Sequence, residues 1–381
     1  MALLLPVYLA SRGQSSLEIG IVVGGVATGN LLWSLSAPRL IRAIGLRALL
    51  STAPLTMAAG GLLLFYSSGT AEYFIAALVG SVSITQTESG IFLVLDNAIL
   101  PDLTSPERRN EVFSLYNMVG YAGSGVGALL DYLFGAFVPS AFRYDVLLLL
   151  YSAAGLVLSI IYSRLEIPEQ LAALNRPTRL LEVARRSPIV SKLALLFGVD
   201  AFAGGLTLQS WLSYWFFTVY HFDLSALGAL FIGVNILSAL SLFAAAKLAN
   251  RYGLVRVMVF SHLPSNMMLL AIPFAGSAAG AAGLLLGRQL LSQMDVPTRQ
   301  SLVMTIAARE DRPGAAALTT ATRNISQVTG SPLTGLLLQL SFISAPFVIS
   351  GSLKSAYDLA VLALMRGHLS VGKVEAAGSS K

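Results

Sequence analysis

Apolar segments long enough to cross a lipid bilayer follow one another along nearly the whole chain. A membrane-spanning helix needs about 20 apolar residues, because each residue adds about 1.5 Å and the hydrocarbon core is about 30 Å thick. Segments 48–66 and 257–275, for example, contain no Asp, Glu, Lys or Arg. Inside a membrane the backbone must satisfy its own hydrogen bonds, and a helix does so within one segment. The pattern therefore predicts an all-α integral membrane protein.

The composition agrees with this prediction. Of the 381 residues, 55% are hydrophobic and 12% are charged, whereas soluble domains carry about 25% charged residues. The mean hydropathy is +0.73. The net charge of +6 comes from basic residues in short loops between apolar segments. Basic loop residues set the orientation of a membrane protein, and this role explains the positive charge better than nucleic-acid binding does. We therefore predict no nucleic-acid partner.

We predict twelve spans, of which the first is truncated. Met1–Ala10 is apolar but covers only about half a bilayer, so either the first helix is short or the true start lies upstream. The other predicted spans cover residues 17–37, 48–66, 73–100, 112–134, 145–162, 189–220, 226–247, 257–275, 280–304, 315–340 and 345–365.

A polar stretch, Arg164–Pro188, separates six of these spans from the other six. It contains several Arg and Glu residues, and its prolines interrupt any long helix. We predict an N-terminal six-helix half over residues 1–163, a cytoplasmic linker over 164–188, a C-terminal six-helix half over 189–366 and a cytoplasmic tail over 367–381.

The orientation follows from the basic residues of the loops. Nearly all of them lie in the linker, the tail and four loops on the same side of the membrane: 38–47, 101–111, 249–256 and 307–314. The opposite side has little beyond Arg12 and Arg143. Because basic loops stay in the cytoplasm, we predict a multi-pass protein of the cell membrane with both termini cytoplasmic.

Several kinds of chemistry lack their residues in this chain. There is no cysteine, and the three histidines, at positions 221, 262 and 368, are far apart. A thiolate site is therefore excluded, and a His-based metal site or triad is not expected. The motifs GxxxxGK(S/T), HExxH and GxSxG are also missing. We predict that the protein is not an enzyme, has no catalytic residues and binds neither a metal nor a cofactor.

Two loops of the halves have related sequences. Residues 38–50 read PRLIRAIGLRALL, and residues 246–259 read AKLANRYGLVRVMV. Both place a basic residue and Leu before a Gly-Leu pair and a further Arg. Duplicated six-helix halves are how many secondary transporters build a central site.

The two-times-six layout, the long central loop and the stretch AKLANRYGLVR resemble the major facilitator superfamily. The loop signature of that family is roughly G-x-L-A-D-R-x-G-R. The matching positions are Leu248, Ala249, Arg251 and Gly253, while Ala246 and Asn250 replace the first Gly and the Asp. The resemblance implies two pseudo-symmetric six-helix bundles and a gating loop that includes Asn250, Arg251 and Gly253.

Ionisable residues within the spans are the leading candidates for function, because a charge in a membrane is costly. Glu88, Asp200 and Arg288 are the predicted translocation and coupling residues. The resemblance implies that the first, fourth, seventh and tenth helices line a central cavity, which would expose Glu88 to substrate. Its carboxylate could take up and release a proton, or it could form a polar packing contact. Pseudo-symmetry also suggests a pair between Glu88 and Arg288 across the cavity.

Further polar and aromatic side chains are predicted to line the same cavity: Gln86, Gln209, Trp211, Gln289, Gln293 and Asp295. Trp211 could stack on a flat or cationic substrate, or it could pack against other helices.

Other charges have local interpretations. Asp295 and Arg299 lie four residues apart and are predicted to pair, as are Lys354 and Asp358. Arg323 lies near the start of a span, where its side chain could extend to the membrane surface.

The predicted function is secondary active transport of a small solute by alternating access, with proton-coupled efflux of an amphipathic compound as the leading hypothesis. A facilitated uniporter of a neutral solute and a non-transporting membrane sensor or assembly protein are the alternatives. The expected partners are a small-molecule substrate, protons and the lipid bilayer, and we expect a monomer.

Overall fold

The computed structural model describes residues 1–80, 82, 92, 109–165, 184–307 and 311–365. This part of the chain forms helices and contains no strand. The helices are α1 (Leu4–Ser11), α2 (Ser16–Ile44), α3 (Leu46–Tyr66), α4 (Thr70–Val79), α5 (Arg109–Phe137), α6 (Arg143–Arg164), α7 (Pro188–Leu206), α8 (Gln209–Tyr220), α9 (Leu224–Tyr252), α10 (Leu254–Ala271), α11 (Ala278–Ser292), α12 (Asp295–Ile306), α13 (Arg312–Gln339) and α14 (Ala345–Met365).

Seven helical stretches of the described chain are long and apolar enough to cross a membrane. They are Ser16–Ala37, Leu46–Tyr66, Arg143–Arg164, Pro188–Tyr220, Leu224–Ala249, Leu254–Phe274 and Ala345–Met365. The prediction of an all-α, multi-pass membrane protein is therefore confirmed. The count of twelve spans stays a prediction, since much of the fourth predicted span lies outside the described residues.

Short polar side chains explain where two of the helices begin. The backbone N–H of Ser15 donates to Glu18 at 2.7 Å, and the N–H of Glu18 donates back to the Ser15 hydroxyl at 3.3 Å. This capping box satisfies N–H groups that have no partner within the first turn of α2. At the start of α9, the carboxylate of Asp223 accepts from the N–H of Ala226 at 2.8 Å. That backbone hydrogen bond lowers the pKa of Asp223.

The two related loops have the same backbone geometry. Gly45 separates α2 from α3 with φ +83°, and Gly253 separates α9 from α10 with φ +89°. Each glycine N–H closes the preceding helix, onto the carbonyl of Ile41 at 2.9 Å and of Ala249 at 2.8 Å. Positive φ is readily available only to glycine, so the repeated Gly-Leu pair marks a repeated turn.

The helices pack into two compact units, and each unit combines stretches that are distant in the sequence. Unit 1 is drawn from Met1–Pro177, Thr207–Asn235 and Val328–Ile343. Unit 2 is drawn from Thr178–Leu206, Ile236–Gln327 and Ser344–Lys381. The predicted division of the sequence at residues 164–188 stays a prediction.

In unit 1, glycines on one side of α2 allow α13 to come very close. A Cβ atom added to Gly20 would lie 2.8 Å from the Cα of Gly335, and one added to Gly24 would lie 2.8 Å from Cγ of Pro332. Added side chains at these positions would therefore push the two helices apart.

A second pair of glycines on α2 faces α4. A Cβ atom on Gly25 would lie 2.8 Å from the ring of Phe74, and one on Gly29 would overlap the carbonyl oxygen of Leu78. The glycines at positions 20, 24, 25 and 29 thus serve two interfaces, because the two GxxxG pairs point to different sides of the same helix.

The described core of unit 2 is largely aliphatic. It is formed by α7, α10, α12 and α14 and includes Leu193, Phe197, Met258, Val303 and Val361. An apolar environment of this kind makes the burial of a charge costly, so charged residues inside unit 2 need partners.

Replacing Gly20 with Ala should lower the thermal stability of the protein, because the new methyl group would collide with the backbone at Gly335. Overpacking of this kind costs about 1–3 kcal/mol. The apparent melting temperature of the purified protein in detergent measures the effect. Gly123→Ala is the control, since a Cβ atom there meets no described atom within 4 Å while the gain in helix propensity is the same. Equal melting temperatures would contradict a close α2–α13 contact.

Candidate functional site

Cations from three helices surround one buried carboxylate in unit 2. Asp200, on α7, is 2% exposed. Its Oδ1 accepts a hydrogen bond from Nζ of Lys354 at 2.6 Å, and its Oδ2 accepts one from Arg323 at 2.8 Å. The guanidinium of Arg299 lies 3.5 Å from the same Oδ2. Asp200 therefore links α7 to α12, α13 and α14 at a single point.

The arginines beside Asp200 have additional contacts that fix their positions. Arg299 also forms an ion pair with Asp295, one turn earlier on α12. Its guanidinium lies over the ring of Phe197, 5.7 Å from the ring centroid. Arg323 additionally donates to the backbone carbonyl of Phe197 at 3.4 Å. The charged groups are thus held by α7 as well as by one another.

A second polar group joins α10 to α14. Nδ1 of His262 lies 2.9 Å from Oδ1 of Asp358, and the side-chain amide of Asn266 donates to Oδ2 of Asp358 at 2.9 Å. Asp358 is 0% exposed and His262 is 3% exposed. Both carboxylate oxygens have a partner, as the burial of a charge requires.

A third polar group lies on α11. Arg288 donates to Oε1 of Gln289 at 3.1 Å, and the hydroxyl of Ser292 donates to the same oxygen at 2.9 Å. The amide of Gln293 donates to the hydroxyl of Ser292 at 3.1 Å. These four side chains form a hydrogen-bonded chain in which Arg288 carries the only formal charge.

The three groups together make the polar cluster of unit 2. Its charged members are Asp200, Asp295, Asp358, Arg288, Arg299, Arg323 and Lys354. The cluster has four cations and three carboxylates, so the charges of its Arg, Lys and Asp residues sum to +1. Each buried ion costs several kcal/mol in desolvation, and opposite charges at contact distance offset that cost.

The structure brings together many of the residues predicted for the site. Asp200, Asp295, Arg288, Gln289 and Gln293 all lie in unit 2 and belong to this cluster. The predicted pair between Asp295 and Arg299 is confirmed.

Two local interpretations are wrong. Lys354 and Asp358 do not pair with each other, because Lys354 binds Asp200 and Asp358 binds His262. Arg323 does not extend to the membrane surface but turns inward to Asp200, leaving 28% of its side chain exposed. Lys354 and Arg323 both meet the buried carboxylate of Asp200 on a neighbouring helix, which offers a better contact than the local alternative.

Gln209 and Trp211 lie in unit 1, on α8. Trp211 is 2% exposed, and its indole N–H donates to the hydroxyl of Ser331 at 2.9 Å. Its ring also meets the edge of Tyr214, with ring centroids 5.9 Å apart. These contacts agree with the packing interpretation of Trp211.

Glu88 and Gln86 lie outside the described residues, so the pair between Glu88 and Arg288 stays a prediction. In the predicted gating loop, Gly253 forms the turn and the exposed Arg251 lies over the ring of Tyr252, 5.2 Å from its centroid. The side chain of Asn250 is not among those described.

His262 and Asn266 were not among the predicted site residues. His262 lies in the middle of an apolar segment. An ionisable side chain in a membrane span is costly, and this argument applies to a histidine there as it does to Asp200. Nothing in the sequence around Asn266 indicates that it binds Asp358, because that contact joins two helices 92 residues apart.

Replacing Asp200 with Asn should strongly destabilise the protein, because Lys354 and Arg323 would lose the carboxylate that they share. Breaking a buried ion pair costs about 3–5 kcal/mol. The check is the apparent melting temperature in detergent. The control is Asp145→Asn, which breaks an exposed pair with Arg12 at 3.3 Å and should cost less than about 1 kcal/mol. Similar losses in the two variants would mean that the cluster does not hold unit 2 together.

Comparison with known proteins places this architecture in a family. The model of the Major Facilitator Superfamily matches residues 1–294. An uncharacterised membrane protein of Saccharomyces cerevisiae is 22% identical, over 95% of this chain and 89% of its own length.

Solved transporter structures have the same fold. The D-xylose–proton symporter matches with a TM-score of 0.72 and 15% identity, over 93% of this chain and 89% of its own. The human organic anion transporter MFSD10 (TETRAN) matches with a TM-score of 0.64 and 18% identity, over 93% of this chain and 87% of its own. The all-helical fold, the membrane-spanning segments and the family match lead to one conclusion: this chain belongs to the Major Facilitator Superfamily.

Proposed function

We propose that the protein is a secondary transporter that moves a small amphipathic solute out of the cell by alternating access, in exchange for protons. Membership in the superfamily supports transport rather than catalysis. Both solved structures named above are of transporters, one of organic anions and one of D-xylose with protons. Those cargoes belong to the two proteins, and the low sequence identity supports a shared fold only.

The observation that carries the proposal is the contact of buried Asp200 with three cations. A charged group inside a membrane protein is costly, and such groups are usually kept for function. This one joins four helices of unit 2 through contacts that can exchange partners, since any cation that moves away leaves Asp200 with two others. An arrangement of this kind suits helices that shift during a transport cycle.

We assign different roles to the two predicted acidic residues. Protonation of Asp200 would leave Lys354, Arg299 and Arg323 without the carboxylate that they share, so Asp200 is proposed to organise the helices. Glu88 is proposed to carry the proton, because its predicted place in the middle of the fourth span exposes it to the cavity. A proton taken up there would bias the equilibrium between the two states of the transporter.

Glycine contacts in unit 1 also support alternating access. Helix α2 meets α13 at Gly20 and Gly335, and α5 meets α9 where Gly228 touches the backbone of Tyr132. Each contact joins one helix of the predicted N-terminal half to one of the C-terminal half. Surfaces made of small residues can separate without withdrawing interdigitated side chains, which is a property that a gate needs.

The predicted orientation assigns these contacts to one side of the membrane. With the linker in the cytoplasm, the start of α2 and the end of α13 are on the opposite side, as are the end of α5 and the start of α9. We propose that these four helix ends form the outer gate. The protein is further proposed to work as a monomer in the cell membrane, with both termini cytoplasmic.

A pH gradient should drive the efflux of fluorescent lipophilic dyes from proteoliposomes that contain the protein. Glu88→Gln should abolish the dependence on the gradient, because an amide cannot take up the proton. Glu72→Gln is the control, since Glu72 is an exposed residue at the start of α4 that accepts a hydrogen bond from the N–H of Ser68. Dye flux in each variant, with and without the gradient, is the measurement.

Two results would count against the proposal. Movement of dye in the parent protein without any dependence on the gradient would favour a facilitated uniporter. If none of several structurally different lipophilic dyes moved, that result would contradict the efflux of amphipathic compounds.

A further inference from the structure

Arg288 differs from the other buried cations of unit 2. Arg299, Arg323 and Lys354 each contact a carboxylate. Within the described part of the chain, no carboxylate oxygen lies within the 4.0 Å limit of an ion pair with Arg288. Yet Arg288 is only 9% exposed. It is therefore a buried cation with no described carboxylate at contact distance, and Asp200 and Asp295 act on it only from further away.

The hydrogen bonds of Arg288 are also incomplete. Its guanidinium has five N–H donors. The described contacts include one bond, to the neutral amide oxygen of Gln289 at 3.1 Å, and the buried Nε has no partner among the described residues. Leaving a buried donor unsatisfied is costly, and more so when the donor belongs to a charged group. The guanidinium of Arg288 can therefore donate further hydrogen bonds to an acceptor.

The neighbours of Arg288 hold it in a defined position. Oε1 of Gln289 accepts from both Arg288 and Ser292, and Gln293 in turn donates to Ser292. A guanidinium fixed in this way loses little conformational freedom when it binds a further group. The chain of polar side chains therefore resembles a binding site that is formed before its ligand arrives.

The charge of the cluster indicates what the ligand is. The described cluster has one more cation than it has carboxylates, so one negative charge would neutralise it. A carboxylate matches the planar guanidinium with two parallel hydrogen bonds, which a neutral acceptor cannot offer. A monoanion suits the excess of a single charge better than a phosphate ester, which carries nearly two charges near neutral pH.

We infer that Arg288 binds the carboxylate of the transported solute, which is therefore an amphipathic monocarboxylate. The inference depends on the proposed transport function only for the statement that the bound anion is carried across the membrane. Gln289, Ser292 and Gln293 act as positioning residues that orient the guanidinium.

Benzoate is a suitable probe, because it combines a carboxylate with an apolar ring, and benzamide is its neutral counterpart. The full-length protein in detergent is melted in rising concentrations of each compound, with the ionic strength kept constant by NaCl. Benzoate should raise the apparent melting temperature in a saturable way, since a ligand that binds the folded state stabilises it. Benzamide should have no such effect.

Arg288→Gln should raise the half-saturating concentration of benzoate at least about tenfold, the loss expected for a charged hydrogen-bonded pair. Arg288→Lys keeps the charge but cannot form the bidentate hydrogen bonds, and it should weaken benzoate binding less than Arg288→Gln does. Arg312→Gln is the matched control, because Arg312 is an exposed arginine of the same unit, at the start of α13. It should leave the response to benzoate unchanged.

The inference is overturned if benzoate does not stabilise the parent protein, as would follow if Glu88 neutralises Arg288. An equal response in the parent and Arg288→Gln would also overturn it. Should Arg288→Gln fail to fold, the comparison of Arg288→Lys with the parent decides, and an unchanged half-saturating concentration refutes the proposed geometry.

Counterflow of radiolabelled benzoate in proteoliposomes separates this inference from the proposed function. Stabilisation by benzoate without counterflow would support the anion-binding site and contradict its role in transport. Dye efflux driven by a pH gradient, without stabilisation by benzoate, would support the transporter and refute the anion site.

Discussion

The contact between Asp200 and its three cations is the interaction on which unit 2 depends. The carboxylate is buried among aliphatic side chains, where an unpaired charge would cost several kcal/mol. Lys354, Arg323 and Arg299 each come from a different helix, so the position of Asp200 constrains the packing of all of them at once. The apolar core alone would tolerate small rotations of these helices, whereas short charged hydrogen bonds tolerate few. The cluster therefore contributes specificity of packing as well as charge compensation.

The two units are stabilised in different ways. In unit 1, the backbones of α2 and α13 approach each other at glycines, so that short-range packing decides the geometry. In unit 2, directional contacts between buried charges and amides join α7, α10, α12 and α14. Packing contacts are lost as soon as surfaces separate, while a charged group can exchange one partner for another. Both properties are useful to a protein whose helices move, and they support the assignment of a gate to the first unit and a responsive site to the second.

The surplus positive charge of the polar cluster connects its architecture to the proposed ligand. Arg288 is held by Gln289 rather than by a described carboxylate, although it is as buried as Arg299. An anion bound there would complete the charge balance of the cluster and compete with the nearby carboxylates for their cations. Ligand binding and helix contacts would then be linked through electrostatics alone, without a separate mechanical element.

The class of the protein can be predicted from its sequence, because the length and polarity of each segment are local properties. The sequence predicted the helical membrane fold, the two related loops that contain Gly45 and Gly253, and the pair between Asp295 and Arg299, whose members lie about one turn apart on one helix. The resemblance to the family, together with the cost of placing a charge inside a membrane, also identified Asp200 and Arg288 as candidates for function. The partners of these charges, in contrast, depend on how the helices pack. Lys354 and Asp358 sit four residues apart, yet each binds a partner on another helix, and Arg323 turns inward to Asp200. The reason is that a buried charge binds polar partners that lie close to it in space, and distance in space depends on which helices are neighbours.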